Sequence, residues 1–244
     1  MSLVRRLTSG LRWRLGFRVA APQLEQGTDD SITEFYSARV TDCRFLGDPD
    51  HYESPRVRWI LDKVRSGSLL EVGCGNVGMT CLIAPQVERV VALDVSTPSI
   101  EAMEKLGLQN VEPVRALVER FEPDRRFDWI VMSEVIEHLR RPSEVVRKLV
   151  GQLEPGGSLV LTTPNGHWES DEHLHVFSFT SLAKMLSDTS AETLSLTYLR
   201  DAKGRRRWLG ARLVAAVRSP AESEFNSRRT ITRERRLRAR IAQP

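Results

Sequence analysis

The chain has 244 residues, three cysteines and a formal net charge of +4, and it contains no apolar run near the roughly 18 residues that span a bilayer. Three cysteines exclude an even disulfide framework, and we expect a reducing, cytoplasmic setting. Residues 1–20 and 225–244 together carry +11, which leaves −7 for residues 21–224. Because this body is acidic, nucleic acid is not the expected partner, although both ends are basic.

Residues 1–54 are predicted to form a basic N-terminal helix, a linker and a lid-like segment before the core. Leucines recur at four-residue intervals from Leu3 to Leu15, which is helical spacing. The helix could contact a membrane surface peripherally through residues 1–20 or pack on the body. Gly10 and Gly16 weaken the helix and favour the second interpretation.

Residues 55–218 alternate between apolar runs and amphipathic segments, and residues 219–244 are predicted to be a solvated basic tail. The predicted parallel strands are 69–72, 90–93, 110–114, 127–132 and 158–162, and the helices between or after them include 77–84, 143–153 and 181–186. Two β-rich runs, 193–199 and 209–217, are predicted to pair as an antiparallel hairpin. The order predicts an α/β fold, a Rossmann-like doubly wound sheet that is mostly parallel with this C-terminal hairpin at one edge.

A glycine-spaced loop follows the first predicted strand. Gly73, Gly75 and Gly78 stand as Gly-x-Gly-x-x-Gly directly after Glu71. Such glycines permit a tight turn, let a ligand approach the backbone, and let the next helix pack near the strand. Asp94 ends the next apolar run, 21 residues after Gly73. At this spacing a carboxylate accepts two ribose hydroxyls, so the loop predicts a nucleotide-type site.

Glu71-Val72-Gly73-Cys74-Gly75 resembles the first motif of class I S-adenosylmethionine-dependent methyltransferases. The resemblance implies S-adenosyl-L-methionine as the cofactor, with its methionine part held by the loop. In the family an acid after the third strand usually reads the adenine amino group, but Ala116 stands at that position. Adenine reading then falls to the backbone around Ala116 or to Glu119. The implied cofactor-binding residues are Glu71, Gly73, Cys74, Gly75, Gly78, Asp94, Val95, Ala116, Leu117 and Ser133.

A turn rich in ligand-type side chains follows the fourth predicted strand. Glu134, Glu137 and His138 stand at i, i+3 and i+4, so on a helical turn they project from one face. This turn resembles those of the ubiquinone-pathway O-methyltransferases and the small-RNA 3′-end 2′-O-methyltransferases. In the RNA enzymes a further histidine precedes a Phe–aromatic–Thr run, as His175 does here before 177–180. The resemblance implies a divalent cation, such as Mg²⁺, held by Glu134, Glu137, His138 and His175.

The same turn has an interpretation without metal. Glu-His after the fourth strand is widespread in class I methyltransferases that bind no metal, where the acid caps a helix and the histidine lines the pocket or acts as a base. In that case His138 and His167 are the candidate catalytic bases, because a neutral imidazole titrates near the working pH.

We expect an enzyme that transfers a methyl group from S-adenosylmethionine to a small-molecule acceptor. An Asn-Pro-Pro-Tyr signature for amino groups is absent, and Thr163-Pro164-Asn165 follows the fifth strand instead, which favours a hydroxyl oxygen. The alternatives are RNA 2′-O-methylation, with the arginine-rich ends on phosphates, and a cofactor-binding module without activity. A dehydrogenase would instead use Asp94 to bind a nicotinamide ribose.

Overall fold

The computed structural model describes most of the core and parts of the segment before it. The described residues are 24, 26–39, 47–48, 50–51, 53–75, 77–166, 172–199 and 212–220. The predicted N-terminal helix, His167 and the tail from residue 221 onwards lie outside them. Within the described residues, no helix has both the length and the apolar character needed to cross a membrane.

The described strands form one seven-stranded sheet. The strands are β1 Ser68–Val72, β2 Arg89–Asp94, β3 Val111–Arg115, β4 Phe127–Ser133, β5 Leu153–Pro164, β6 Glu192–Leu199 and β7 Arg212–Arg218. Their order across the sheet is β3-β2-β1-β4-β5-β7-β6. Strands β1 to β5 run parallel, and β7 pairs antiparallel with both β5 and β6. The predicted mostly parallel sheet with an antiparallel C-terminal pair is confirmed.

Helices cover both faces of the sheet. They are α1 Asp29–Ser37, α2 Ser54–Lys63, α3 Gly78–Ile83, α4 Thr97–Leu106, α5 Pro142–Gly151 and α6 Phe179–Ser187, with short 3₁₀ turns at Ala84–Gln86 and Ile136–His138. Leu70 and Val72 of β1 join the core under α5 and α6, whereas Leu69 joins the core under α2, α3 and α4. Alternating side chains of a strand point to opposite faces, so burial on both faces produces the continuous apolar run of β1.

The predicted boundaries of β5, α5 and α6 are wrong. Strand β5 begins at Leu153 rather than at residue 158, and α5 ends at Gly151 rather than at residue 153. The register between β4 and β5 shifts here, between Phe127 and Trp129. A side chain at Gly157 would lie 2.9–3.0 Å from backbone carbonyl oxygens, so the chain passes close to its neighbour instead of turning away. Helix α6 begins at Phe179 rather than at residue 181, and Ser178 caps it.

The sheet topology places a crevice at the carboxyl ends of β1 and β4. From β1 the chain continues to β2 on one side, whereas β4 pairs with β1 on the other side. The loops that leave these two strands therefore diverge, and ligands of open parallel sheets bind where this happens. The glycine loop after β1 and the turn after β4 both lie at this point.

Candidate active site

A cavity of about 410 Å³ lies at this end of the sheet. All ten residues predicted to bind the cofactor line it, from Glu71 in β1 to Ser133 in β4. Glu134 and His138 line the same cavity. The structure therefore gathers the glycine loop, the acid after β2 and the turn after β4 around one space, although their roles in binding stay predictions.

The glycine loop leaves room for a ligand against its backbone. Gly73 and Gly75 have φ angles of 73° and 51°, in the left-handed region that favours glycine. A Cβ on Gly73 would lie 2.4 Å from Cγ2 of Val135, so this glycine is needed for close packing. A Cβ on Gly75 would meet no atom within 4 Å, and its backbone faces open space at the cavity wall. This cradle fits the methionine part of S-adenosylmethionine.

Asp94 is fixed by backbone donors at the edge of the loop. Its two carboxylate oxygens accept hydrogen bonds of 2.8 Å, one from the N–H of Gly75 and one from the N–H of Ser96. Burial raises the pKa of Asp94, and these backbone hydrogen bonds oppose that effect. Each oxygen retains a further lone pair, so the carboxylate can still accept ribose hydroxyls.

Glu71 is a buried acid at the base of the loop. It is 3% exposed and accepts a 2.5 Å hydrogen bond from the Thr80 hydroxyl. Burial raises the pKa of Glu71 to about 8. Burial also raises the pKa of the Cys74 thiol, so this thiol is a neutral wall of the cavity. The ammonium group of a bound methionine moiety would favour the ionised form of Glu71, so this acid fits the cofactor.

Glu134 does not share a face with Glu137 and His138, which corrects the predicted helical turn. Its φ angle of 57° is left-handed, and the 3₁₀ turn begins only at Ile136. The Glu134 carboxylate accepts a 2.8 Å hydrogen bond from the Thr162 hydroxyl and lies 2.6 Å from Nε of Arg212. Its carboxylate is therefore directed toward β5 and β7.

The four predicted metal ligands are not brought together. Within the described part of the chain, the one group with three ligand atoms within 4.8 Å of one another is Glu137, His138 and His173. The rings of His138 and His173 meet edge-on at 5.0 Å. His175 is outside this group: its backbone N–H donates to the Glu137 carbonyl, and its ring lies 6.1 Å from that of Phe177. The motif before Phe177 favoured His175, and the only sequence signal for His173 is its place in His-Leu-His.

His138 has one ring nitrogen occupied by the protein. Nδ1 lies 3.0 Å from the carbonyl oxygen of Glu172. A carbonyl can only accept, so Nδ1 carries the proton of the neutral ring and Nε2 keeps its lone pair. Nε2 lies 3.9 Å from the Glu137 carboxylate. Burial lowers the pKa of His138 to about 4, and burial with the nearby Glu134 charge raises the pKa of Glu137 to about 8.

Two segments before the sheet supply cavity residues outside the ten predicted to bind the cofactor. Tyr36 comes from α1 and Arg39 lies just after it, in a stretch expected to be linker and lid, and Arg56 comes from α2. Arg56 is buried, donates a 2.6 Å hydrogen bond to Glu53, and also hydrogen-bonds Ser133. The sequence signal for Arg56 is its place next to Val57 on the apolar face of α2, because an arginine is rarely buried unless it has a partner.

A family model described as a methyltransferase domain matches residues 50–204. The chain therefore belongs to the methyltransferase domain family, and its sheet is the Rossmann-like sheet of class I S-adenosylmethionine-dependent methyltransferases.

Among curated relatives, the ubiquinone biosynthesis O-methyltransferase of Rickettsia felis is 28% identical in an alignment of 120 positions that covers 45% of this chain and 49% of that protein. The chain thus spans about half the length of the curated relatives it matches.

Two solved structures extend the likeness to nearly whole domains. The N-methyltransferase NodS of Bradyrhizobium japonicum WM9, in complex with S-adenosylhomocysteine, is 18% identical with a TM-score of 0.62, covering 77% of this chain and 98% of that one. A DhpI complex with S-adenosylhomocysteine is 20% identical with a TM-score of 0.64, covering 80% and 98%. At these identities the likeness establishes the fold.

Proposed function

We propose that the protein transfers the methyl group of S-adenosylmethionine to a hydroxyl oxygen of a small-molecule acceptor. One observation carries the proposal: the glycine loop and His138 line a single cavity. Because Nδ1 of His138 is engaged by the Glu172 carbonyl, Nε2 is the ring nitrogen that keeps its lone pair. The name of the Rickettsia relative supports an oxygen acceptor. NodS is an N-methyltransferase of the same fold, so the fold alone does not select the acceptor atom.

The cavity residues divide the cofactor between them in this proposal. Asp94 would accept the ribose hydroxyls, and the backbone at Ala116 and Leu117 would contact the adenine. Glu71 would attract the methionine ammonium, and Arg56 would pair with the methionine carboxylate. S-adenosylmethionine supplies a methyl group already activated on a sulfonium sulfur, so the protein chiefly aligns the acceptor and receives its proton.

His138 is the proton acceptor in this proposal. Nδ1–H is held by the Glu172 carbonyl, which fixes the ring and leaves the lone pair on Nε2. Nε2 takes the hydroxyl proton as the oxygen gains the methyl group. The imidazolium ion formed would lie 3.9 Å from the Glu137 carboxylate, whose ionised form would stabilise it. His167 lies outside the described residues and stays a sequence prediction.

A divalent cation at Glu137, His138 and His173 is a second form of the proposal, favoured by the approach of their ligand atoms within 4.8 Å. Two imidazoles and one carboxylate suit Zn²⁺ or Mn²⁺ better than the predicted Mg²⁺, which prefers oxygen ligands. The test is a Zn²⁺ titration of chelator-treated protein, followed by thermal unfolding. A stabilisation lost in His173→Ala would support the cation, and an unchanged unfolding temperature would remove it.

The proposed activity is tested with acceptors of matched skeleton. The protein is incubated with S-adenosylmethionine and either phenols or the corresponding anilines, and S-adenosylhomocysteine and methylated products are measured by mass spectrometry. We expect S-adenosylhomocysteine and methyl ethers with the phenols. N-methylated anilines without methyl ethers would replace the oxygen acceptor with nitrogen, and no product with either series would count against a hydroxyl acceptor of this kind.

A further inference from the structure

Tyr36 carries an unpaired hydroxyl at the wall of the cavity. The ring lines the cavity, and the hydroxyl oxygen is sealed from solvent with no hydrogen-bond partner among the described residues. The ring meets that of His138 edge-on, with 6.0 Å between centroids and an interplanar angle of 89°. Buried hydroxyls are nearly always paired, because an unpaired one destabilises the fold. An unpaired hydroxyl that lowers stability at the wall of a functional cavity indicates a group that hydrogen-bonds a ligand.

The surroundings of Tyr36 are apolar. Leu24, Ile32 and Leu174 form a small buried cluster, and Tyr36 and Leu117 pack against it. All of these except Leu174 also line the cavity. A molecule held at this end of the cavity would therefore have an apolar body.

The arginines that line the cavity beside this cluster are already paired. Arg39 lies 3.4 Å from the Glu172 carboxylate, and Arg140 lies 3.1 Å from that of Asp29. An anionic molecule would have to displace one of these pairs, and the Glu119 carboxylate, which also lines the cavity, would repel it. An uncharged molecule meets neither obstacle, so the absence of negative charge is the second property of the expected occupant.

Tyr36 and His138 offer complementary hydrogen-bonding groups. Burial, followed by the charges of Glu172 and Glu137, raises the pKa of Tyr36 well above its ordinary value, so the phenol remains a donor. Nε2 of His138 is an acceptor, as its Nδ1–H is engaged by the protein. A hydroxyl group can accept from one and donate to the other, which no ether, carbonyl or hydrocarbon can do.

We propose that Tyr36 and His138 form an acceptor subsite in which the Tyr36 hydroxyl donates to the oxygen of an uncharged, apolar-bodied hydroxyl compound. The O–H of this compound donates to Nε2 of His138. The inference rests on the proposed function and deepens it to a substrate class.

The Tyr36 hydroxyl is enclosed, so an acceptor reaches it only after Tyr36 or α1 shifts. The helix is held at its first turn by ion pairs of Asp29 with Arg120 and Arg140, each at 3.1 Å, of which the Arg120 pair is the more exposed. At its last residue the Ser37 hydroxyl accepts a 3.1 Å hydrogen bond from the N–H of Thr97. Exposed pairs contribute little free energy, so the helix can move aside and close again over the acceptor.

The test measures binding without turnover. Phenol and toluene are titrated by calorimetry into the S-adenosylhomocysteine complexes of the wild-type protein and Tyr36→Phe, which removes only the hydroxyl. We expect phenol to bind Tyr36→Phe roughly 3- to 10-fold more weakly, and toluene to bind both proteins equally. Tyr198→Phe, on the exposed edge strand β6, is the matched control and should behave as wild type. Tyr36→Phe should unfold at no lower temperature, since the lost hydroxyl has no described partner.

Four results would overturn the subsite. Two concern phenol: equal binding by both proteins, or none by the wild type. A loss of S-adenosylhomocysteine affinity in Tyr36→Phe would make Tyr36 a cofactor ligand, and a lower unfolding temperature of that variant would make it a structural residue. The complexes in this binding test contain no methyl donor, so the result does not depend on catalysis. If phenol binds through Tyr36 here but phenols are not methylated in the activity test with S-adenosylmethionine, the subsite is retained and only the proposed function is refuted.

Discussion

At the scale of single residues, Glu71 is an acid that folding makes harder to ionise. Burial raises its pKa to about 8 from an ordinary value of 4.5. The unfolded chain therefore loses this proton at lower pH than the folded chain does. The stability linked to Glu71 is fully present below pH 4.5 and is lost as the pH rises through 8.

Glu71→Gln is predicted to remove this pH dependence. The amide oxygen can still accept from Thr80, while the group no longer titrates. Between pH 5 and 8 the wild-type free energy of unfolding should fall by roughly 3 kcal/mol more than that of the variant. Urea unfolding at both pH values measures the difference. An equal change in the free energy of unfolding with pH in both proteins would show that Glu71 is already ionised in the folded state.

His138 gives a prediction of opposite sign. Burial lowers its pKa to about 4, so the stability linked to it is present above pH 6.5 and is lost as the pH falls to 4.

The His138 ring stays neutral at pH 6, so its titration should not lower kcat/KM between pH 8 and 6. His138→Ala should lower kcat roughly 10²- to 10⁴-fold with S-adenosylhomocysteine affinity unchanged. A loss of cofactor affinity matching the loss of rate would place His138 in cofactor binding instead.

At the scale of elements, the turn after β4 depends on an ion pair with β7. Glu134 is a non-glycine residue in the left-handed region, a conformation that costs free energy and needs support. Arg212 of β7 gives this support, because its Nε lies 2.6 Å from the Glu134 carboxylate. The same guanidinium also lies 2.7 Å from the carboxylate of Glu53, which precedes α2. Strand β7 thereby braces both the turn that places His138 and the segment that leads into α2.

Arg212→Met is predicted to destabilise the protein by roughly 3 kcal/mol, because it removes the cation paired with Glu134 and one of the two arginines paired with Glu53. Arg89→Met is the matched control, since Arg89 pairs with Glu112 at 2.7 Å with both side chains about half exposed. Exposed pairs contribute roughly 0–1 kcal/mol. Urea unfolding of both variants measures the contrast. Similar losses would show that the Arg212 pairs are no stronger than a surface pair.

At the scale of the whole molecule, the sheet and the glycine loop were predictable because their signals are local. Apolar runs separated by helices specify a parallel sheet, and three glycines at fixed spacing specify the loop after β1. The antiparallel strand pair also followed from its own composition. These predictions did not require knowledge of contacts between distant residues.

The conformation of the turn after β4 and the position of α1 depend on contacts between distant residues. One reversed φ angle at Glu134 separates it from Glu137, and Arg212, 78 positions later, is its ion-pair partner. Helix α1 was hidden because its stretch resembles a linker, and only its cap, Thr28 accepting from the N–H of Ser31, marks a helix start. Tyr36 could therefore not be placed beside His138 from sequence.

The central claim is that this end of the sheet is an S-adenosylmethionine site, and ligand-dependent unfolding tests it most directly. The unfolding temperature is measured with S-adenosylhomocysteine, with NAD and without ligand, for wild type and Asp94→Ala. At a hundredfold excess over Kd, S-adenosylhomocysteine should raise the wild-type value by roughly 5–10 °C, and NAD should not change it. The increase should largely disappear in Asp94→Ala. Stabilisation by NAD alone, or an equal increase in Asp94→Ala, would contradict the account.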